Sequence, residues 1–432
     1  MPITSRMPLV LFLLIALACS GCSFTKDPQS YMRMPKLPDD KENLKQVIQQ
    51  AMPAGASFIH PKNSSDPGSI YLKDLDKDGV PEAIVFYQTP DKDVRVKGML
   101  WQKSGDSWKL LSEMEGEGYE LDTLLFEDVT GDGVDDILVG YSGGARINKG
   151  LVVYHLVDRK LTILYQAPYT ELVVDDLNQD NKKDISILTL ERNVSAKMST
   201  LQYDHGFQPV GSIALDPYVN GYSSVTAGFV AENKRGLLLD AGVGAHSSTT
   251  QLVYFDNGQL VKAFPDDKLP LSPRSAKSGD YNHDGIMEIP IDVAPQGSEN
   301  AAYAVTPWIT QYYRWDGRQG LGDTPLYERY YDYENSFYLD IPSEWRDRFS
   351  VQRSADGTRI AFVSSVTGET LADWKTMPAD SWDASDPEWK EIGRTDKTVT
   401  ALRLTENSKP LLGSFHPVLD LERQELSDHV NE

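Results

Sequence analysis

The sequence predicts a mainly β protein: a five-bladed β-propeller of four-stranded blades, preceded by a short N-terminal helix and followed by a small C-terminal α+β domain. Three observations predict it. A short acidic loop recurs four times: DLDKDGVPE from Asp74, DVTGDGVDD from Asp128, DLNQDNKKD from Asp176 and DYNHDGIME from Asp280. Each copy runs into an apolar, strand-like stretch: AIVFY, ILVGY, ISIL or IPIDV. The starts lie 54, 48 and 104 residues apart, so the period is near 50 and one copy has lost its acids.

Residues 1–21 read as a lipoprotein signal peptide. Arg6 precedes an apolar run from Leu9 to Ala18, which has the length of a signal core and is short for a bilayer span. Cys19-Ser-Gly-Cys22 follows. Small residues just before a cysteine resemble the bacterial lipobox, in which the cysteine carries the lipid. Cys22 is the expected acceptor of palmitate, and Cys19 stands where that pattern prefers Leu. Cys19 is the other acceptor, and an ordinary secretory signal or an uncleaved anchor is the alternative. The resemblance implies lipid anchoring at a bacterial cell membrane, on the extracytoplasmic face. Both cysteines of the chain lie here, so the body has none for a disulfide, a thiolate zinc site or a cysteine nucleophile.

Residues 22–40 are polar and contain Pro, and read as a tether. Residues 41–68 hold a short amphipathic helix and a lead-in. Leu44, Val47, Ile48 and Met52 recur at helical spacing, and Pro53 stops the helix.

Residues 69–332 read as five units of strand, acidic loop, strand, connection, strand, tight hairpin, strand. Turn-rich pairs such as SGDS, FDNGQ and WDGRQ join the third and fourth strands. The fourth unit has AENKRG in place of the acids. Four antiparallel strands per ~50 residues make a propeller blade. A β-solenoid has shorter rungs, and a sandwich array needs linkers between its units. Residues 333–432 break the pattern and read as a separate α+β domain. Its opening, FYLDIPSEW, resembles a small domain common in Gram-positive lipoproteins.

The net charge of −22 and pI near 4.7 argue against nucleic acid as a partner, because no basic stripe offsets phosphate repulsion. Thirteen carboxylates sit at the template positions of the four loops. Alternating oxygen ligands on a tight turn suit calcium, a hard cation that takes 6–8 oxygens.

The loops and strand runs together resemble the FG-GAP/VCBS repeats of integrin-α-type propellers. An EF-hand would need flanking helices and a Glu at position 12; here the acid stands at position 9 between strands. The resemblance implies up to four structural Ca²⁺ ions and their ligands. The first set is Asp74, Asp76, Asp78, Glu82 and the carbonyl of Val80. The second is Asp128, Thr130, Asp132 and Asp136, weakened by the uncharged Thr130. The third is Asp176, Asn178, Asp180 and Asp184, with Asn181 in place of the turn Gly. The fourth is Asp280, Asn282, Asp284 and Glu288. The first and fourth are the best furnished.

Strand order puts the acidic loops at one face and the long connections at the other. The connections carry Tyr119, Arg146, Asn148, Tyr218, Tyr222, His246, Tyr303 and Trp308. Aromatics, amides and an Arg suit a carbohydrate, peptide or protein ligand. The seven histidines form no HExxH pair, which leaves a zinc hydrolase without support. Gly140-Tyr-Ser142-Gly-Gly144 spells G-x-S-x-G, yet a strand rather than a helix is expected after it. His246, with Asp240 nearby, is the one acid–base candidate on the ligand face. The sequence thus favours a calcium-stabilised binding protein over an enzyme. A polysaccharide-active hydrolase or lyase, and a scaffold or accessory to a membrane sensor, are the alternatives. Oligomeric state is not legible.

Overall fold

The computed structural model describes residues 39–62, 68–90, 96–105, 107–116, 118–143 and 149–418. The leader, Cys19, Cys22, the tether through residue 38, Arg146 and Asn148 lie outside the described residues. No helix among the described residues is long and apolar enough to cross a membrane. Strand accounts for 54% and helix for 7%, which places the chain in the mainly β class.

Several antiparallel sheets follow one another along the chain. The first pairs Ser57–Ile59 and Ile70–Lys73 along one edge of Glu82–Gln88, then adds Val96–Ser104 and Ser107–Glu115. The second is a four-strand meander from Glu120–Glu127 to Lys160–Tyr169, and the third runs from Glu171–Asp175 to Phe207–Leu215. The fourth runs from Gly221–Ala231 to Gln259–Lys262. In the fifth, Ile289–Val293, Ile309–Tyr313 and Tyr327–Asp332 are consecutive, and a bridge from Gly279 to Glu288 stands for the first strand. These strands fall where the five repeat units place them.

Local chemistry explains the tight turns. Asn257 and Gly258 both take positive φ (48° and 76°) in the hairpin from Asp256 to Gln259, as a two-residue turn between twisted strands requires.

Both faces of each central strand are buried, so the strands read as continuous apolar runs. Neighbouring residues serve opposite interfaces. Ile137 and Val139 pack on Ile84 and Phe86 of the first sheet. Leu138, between them, packs with Ile185 and Ile187 of the third. Leu188 meets Leu237 and Leu239 of the fourth, and Leu238 meets Ile289 of the fifth. The sheets therefore stack in chain order. The remaining face of the first sheet is covered by the helix Asp39–Ala51, whose buried Leu44 and Ile48 contact Ala83, Val85 and Trp101. Among the described residues no apolar cluster joins the first sheet to the fifth.

The C-terminal part differs from the α+β expectation. Phe337–Ile341 and Phe415–Pro417 extend the fifth sheet. Phe349–Arg353, Arg359–Ser364, Thr370–Pro378, Thr398–Arg403 and Trp389–Arg394 form a sixth sheet in that spatial order. The expected helix is one 3₁₀ turn, Ser343–Trp345, held between Pro342 and the strand at Phe349. Trp374 and Phe362 of the sixth sheet pack with Tyr330 and Leu339 of the fifth.

Candidate metal loops and ligand face

The four acidic loops share one backbone. Their fourth residues, Lys77, Gly131, Gln179 and His283, take φ of 58°, 75°, 60° and 59°. Their sixth residues, Gly79, Gly133, Asn181 and Gly285, take 83°, 83°, 69° and 89°. Asn181 tolerates the left-handed region that Gly otherwise supplies.

The hydrogen bonds repeat too. The first Asp accepts from the sixth backbone N–H: Asp74 from Gly79 at 3.1 Å, Asp128 from Gly133 at 2.7 Å, Asp176 from Asn181 at 2.9 Å and Asp280 from Gly285 at 2.8 Å. The fifth Asp accepts from the seventh N–H: Asp78 from Val80, Asp132 from Val134, Asp180 from Lys182 and Asp284 from Ile286. The ninth acid accepts from the second N–H: Glu82 from Leu75, Asp136 from Val129, Asp184 from Leu177 and Glu288 from Tyr281. All four ninth acids are fully buried. Burial pushes each carboxyl up, Asp184 to about 6. Single oxygens of Asp74, Asp76 and Asp78 lie within 4.8 Å of one another, as do those of Asp280, Asp284 and Glu288.

Sequence reading missed a fifth participant. It is the residue that register places opposite the ninth acid on the next strand: Gln102, His155, Gln202 or Arg314. Gln102 Nε2 donates to Asp76 at 3.3 Å and to Glu82 at 3.4 Å. Gln202 Nε2 donates to Asp180 at 2.8 Å and to Asp184 at 3.2 Å. His155 sets Nδ1 2.7 Å from Asp136 and Nε2 3.5 Å from Asp132. Arg314 Nη2 donates to Asp284 Oδ2 and to Glu288 Oε1. The signal lay in strand pairing, since the sequence gap from acid to partner varies between units. In the unit without acids, register puts Gly236 at the ninth place, opposite Tyr254, and its neighbour Arg235 forms a two-point ion pair with Asp175, beside the third loop.

At the other ends of the strands, the expected ligand-face residues divide. His246 stacks on Tyr303 with ring centroids 4.6 Å apart. Tyr303 lies 5.8 Å from Trp308, whose Nε1 donates to the Tyr303 carbonyl at 3.2 Å. His246 and Tyr303 are exposed. A recess of about 320 Å³ opens beside the same 294–308 loop. Val293, Ile309 and Phe349 give it apolar walls, and Glu299, Glu328 and Asp347 give it acids. Tyr119 and Tyr218 are exposed. Tyr222 packs into the core between the third and fourth sheets, where burial pushes its hydroxyl up to about 12, so it belongs to the packing. Asp240 is fully buried and accepts from Thr250 and from the N–H and hydroxyl of Ser278. His246 stacks in the open, so the two do not form an acid–base pair. Ser142 is the buried last residue of the strand Asp136–Ser142, and the next described element is another strand, not the helix of a nucleophile elbow.

No protein family and no curated protein matches the chain. Among solved structures it is similar to Sqt1 of Saccharomyces cerevisiae, at 10% identity over 74% of this chain and 80% of that one, with a TM-score of 0.34. It is similar to the exotype rhamnogalacturonan lyase YesX, at 13% identity over 67% of this chain and 62% of that one, with a TM-score of 0.33. It is also similar to a Bacillus licheniformis rhamnogalacturonan lyase, at 9% identity over 74% and 85% of the two chains, with a TM-score of 0.29. Scores this low decide neither blade number nor function.

Proposed function

We propose that this chain is a lipid-anchored bacterial protein of the extracytoplasmic face, whose five repeat sheets form an FG-GAP-type propeller that binds an envelope or extracellular ligand. Calcium bound in an acidic loop would pin that loop between two strands. The donors of the first loop fit: Asp74, Asp76, Asp78, Glu82 and the carbonyl of Val80 offer the oxygens a hard cation takes. Glu82 and Asp184 are buried with neutral hydrogen-bond donors around them, so a cation would relieve their burial.

One observation carries the binding reading. His246 comes from one loop and Tyr303 and Trp308 from another, yet they assemble one partly exposed aromatic group. Flat aromatic faces with a polar rim suit a sugar ring or a peptide side chain. The purified protein should bind an envelope polysaccharide or peptide saturably. Tyr303→Ala and Trp308→Ala should weaken that binding tenfold or more at unchanged Tm. Undiminished binding by both variants would overturn this placement of the ligand. Steady ligand breakdown would transfer the assignment to a hydrolase or lyase.

A further inference from the structure

We propose that loops two and four are not metal sites but are closed by the chain's own side chains, so that the protein takes two calcium ions and not four. The inference rests on the reading that the acidic loops bind calcium. It is carried by the residue opposite the ninth acid, which occupies one register position in all four sheets and differs in chemistry.

In loops one and three that residue is Gln. Its amide now donates to two carboxylates in each loop. A half-turn of the amide replaces the NH₂ with the carbonyl oxygen, so the same side chain can face a cation as a ligand. It is neutral, and the loop keeps its full negative charge for the metal.

In loop four the residue is Arg314. Guanidinium has five donors, no acceptor, and does not deprotonate in proteins. Its Nη2 donates to both Asp284 and Glu288, two of the three acids that would hold the ion, and its Nε reaches Glu288 at 3.2 Å. A divalent cation could enter only by expelling a charge already paired with a buried carboxylate. In loop two the His155 ring stands between Asp132 and Asp136. Whatever its charge, the ring fills the space between two ligands, and Thr130 adds no charge at the third position. Loop four is therefore well furnished in its acids and filled in its fold.

Calcium stoichiometry of the purified full-length chain, by native mass spectrometry and isothermal titration, tests this. The expected count is two. Arg314→Gln should raise it to three, and His155→Gln should do the same at loop two. Gln202→Arg should lower it to one, which keeps the test decisive if Arg314→Gln folds poorly. Four ions in the unaltered protein, or a count indifferent to both Arg314→Gln and Gln202→Arg, would overturn the proposal. Complete absence of calcium binding in every variant would instead overturn the calcium reading on which it rests.

Discussion

Arg314 and Glu288 meet at the ends of the paired strands Ile309–Tyr313 and Ile289–Val293, and the guanidinium donates to Glu288 Oε1 at 2.8 Å while Tyr327 donates to Glu288 Oε2 at 3.2 Å. Glu82 occupies the equivalent place in the first sheet, with Gln102 opposite it. One carboxylate is neutralised inside the chain and the other is not. Their responses to substitution and to calcium should therefore differ.

Removing Arg314 leaves a buried carboxylate without its cation. In EGTA, Arg314→Leu should destabilise by about 3–5 kcal/mol, the usual cost of breaking a buried pair. Thermal melting reads this directly. A loss under about 0.5 kcal/mol, the size of an ordinary surface change, would contradict the pairing.

Glu82→Gln should behave in the opposite way. In EGTA it removes a costly buried charge, keeps the size of the side chain, and should change Tm little. In millimolar Ca²⁺ it should lose part of the Tm rise that the unaltered protein shows, because one ligand charge is gone. Mg²⁺, which prefers octahedral coordination and holds its water, should not substitute. An identical calcium response in the variant would exclude Glu82 as a ligand.

Leu44 is buried in the patch where the N-terminal helix covers the first sheet. Leu44→Ala should cost about 2–5 kcal/mol, from lost burial and the cavity left behind. If the helix were an ornament, chemical denaturation would show a cost near zero.

Gly140 lies under the hydroxyl of Tyr169, which donates to Asp122 at 2.6 Å. A methyl group at 140 would occupy the hydroxyl's space. Gly140→Ala should cost about 1–3 kcal/mol by overpacking. Ser142→Ala, two residues on, should leave any measured function intact, since Ser142 is buried at the end of its strand.

Asp240 gives a pH prediction. Burial raises its carboxyl to about 6 in the folded chain, against an unfolded value near ~3.9. The folded state then holds the proton more tightly than the unfolded state. That contribution is complete below about pH 4 and is lost as pH rises through about 6. It amounts to about 2–3 kcal/mol. Asp240→Asn removes the titration, so the Tm advantage of the unaltered protein over the variant should shrink between pH 4 and 8. A difference constant across that range would show that Asp240 does not titrate there.

Much of the architecture was legible along the chain. The acidic loops fixed where four of the repeat units begin, because Asx-rich turns with left-handed residues are local structures that need no partner. Apolar runs such as AIVFY announced strands buried on both faces. The C-terminal region was harder. The short helix expected after the strand FYLDI amounts to one 3₁₀ turn, Ser343–Trp345, because Pro342 and the strand at Phe349 leave no room for a longer one. Tyr222 looked like a ligand residue and instead packs, half-buried, against the core, since its exposure depends on which sheet lies against it.

The sequence by itself determined the repeat, the mainly β class and the identity of the loop acids, all of which rest on local spacing and turn chemistry. Only the tertiary structure decided what faces each acid across the strands. Gln102, His155, Gln202 and Arg314 come from different distances along the chain and meet their loops through strand register. Whether a buried carboxylate waits for a metal or already holds a cation depends on that non-local pairing, and electrostatics at a few ångströms in a dry site makes the difference large.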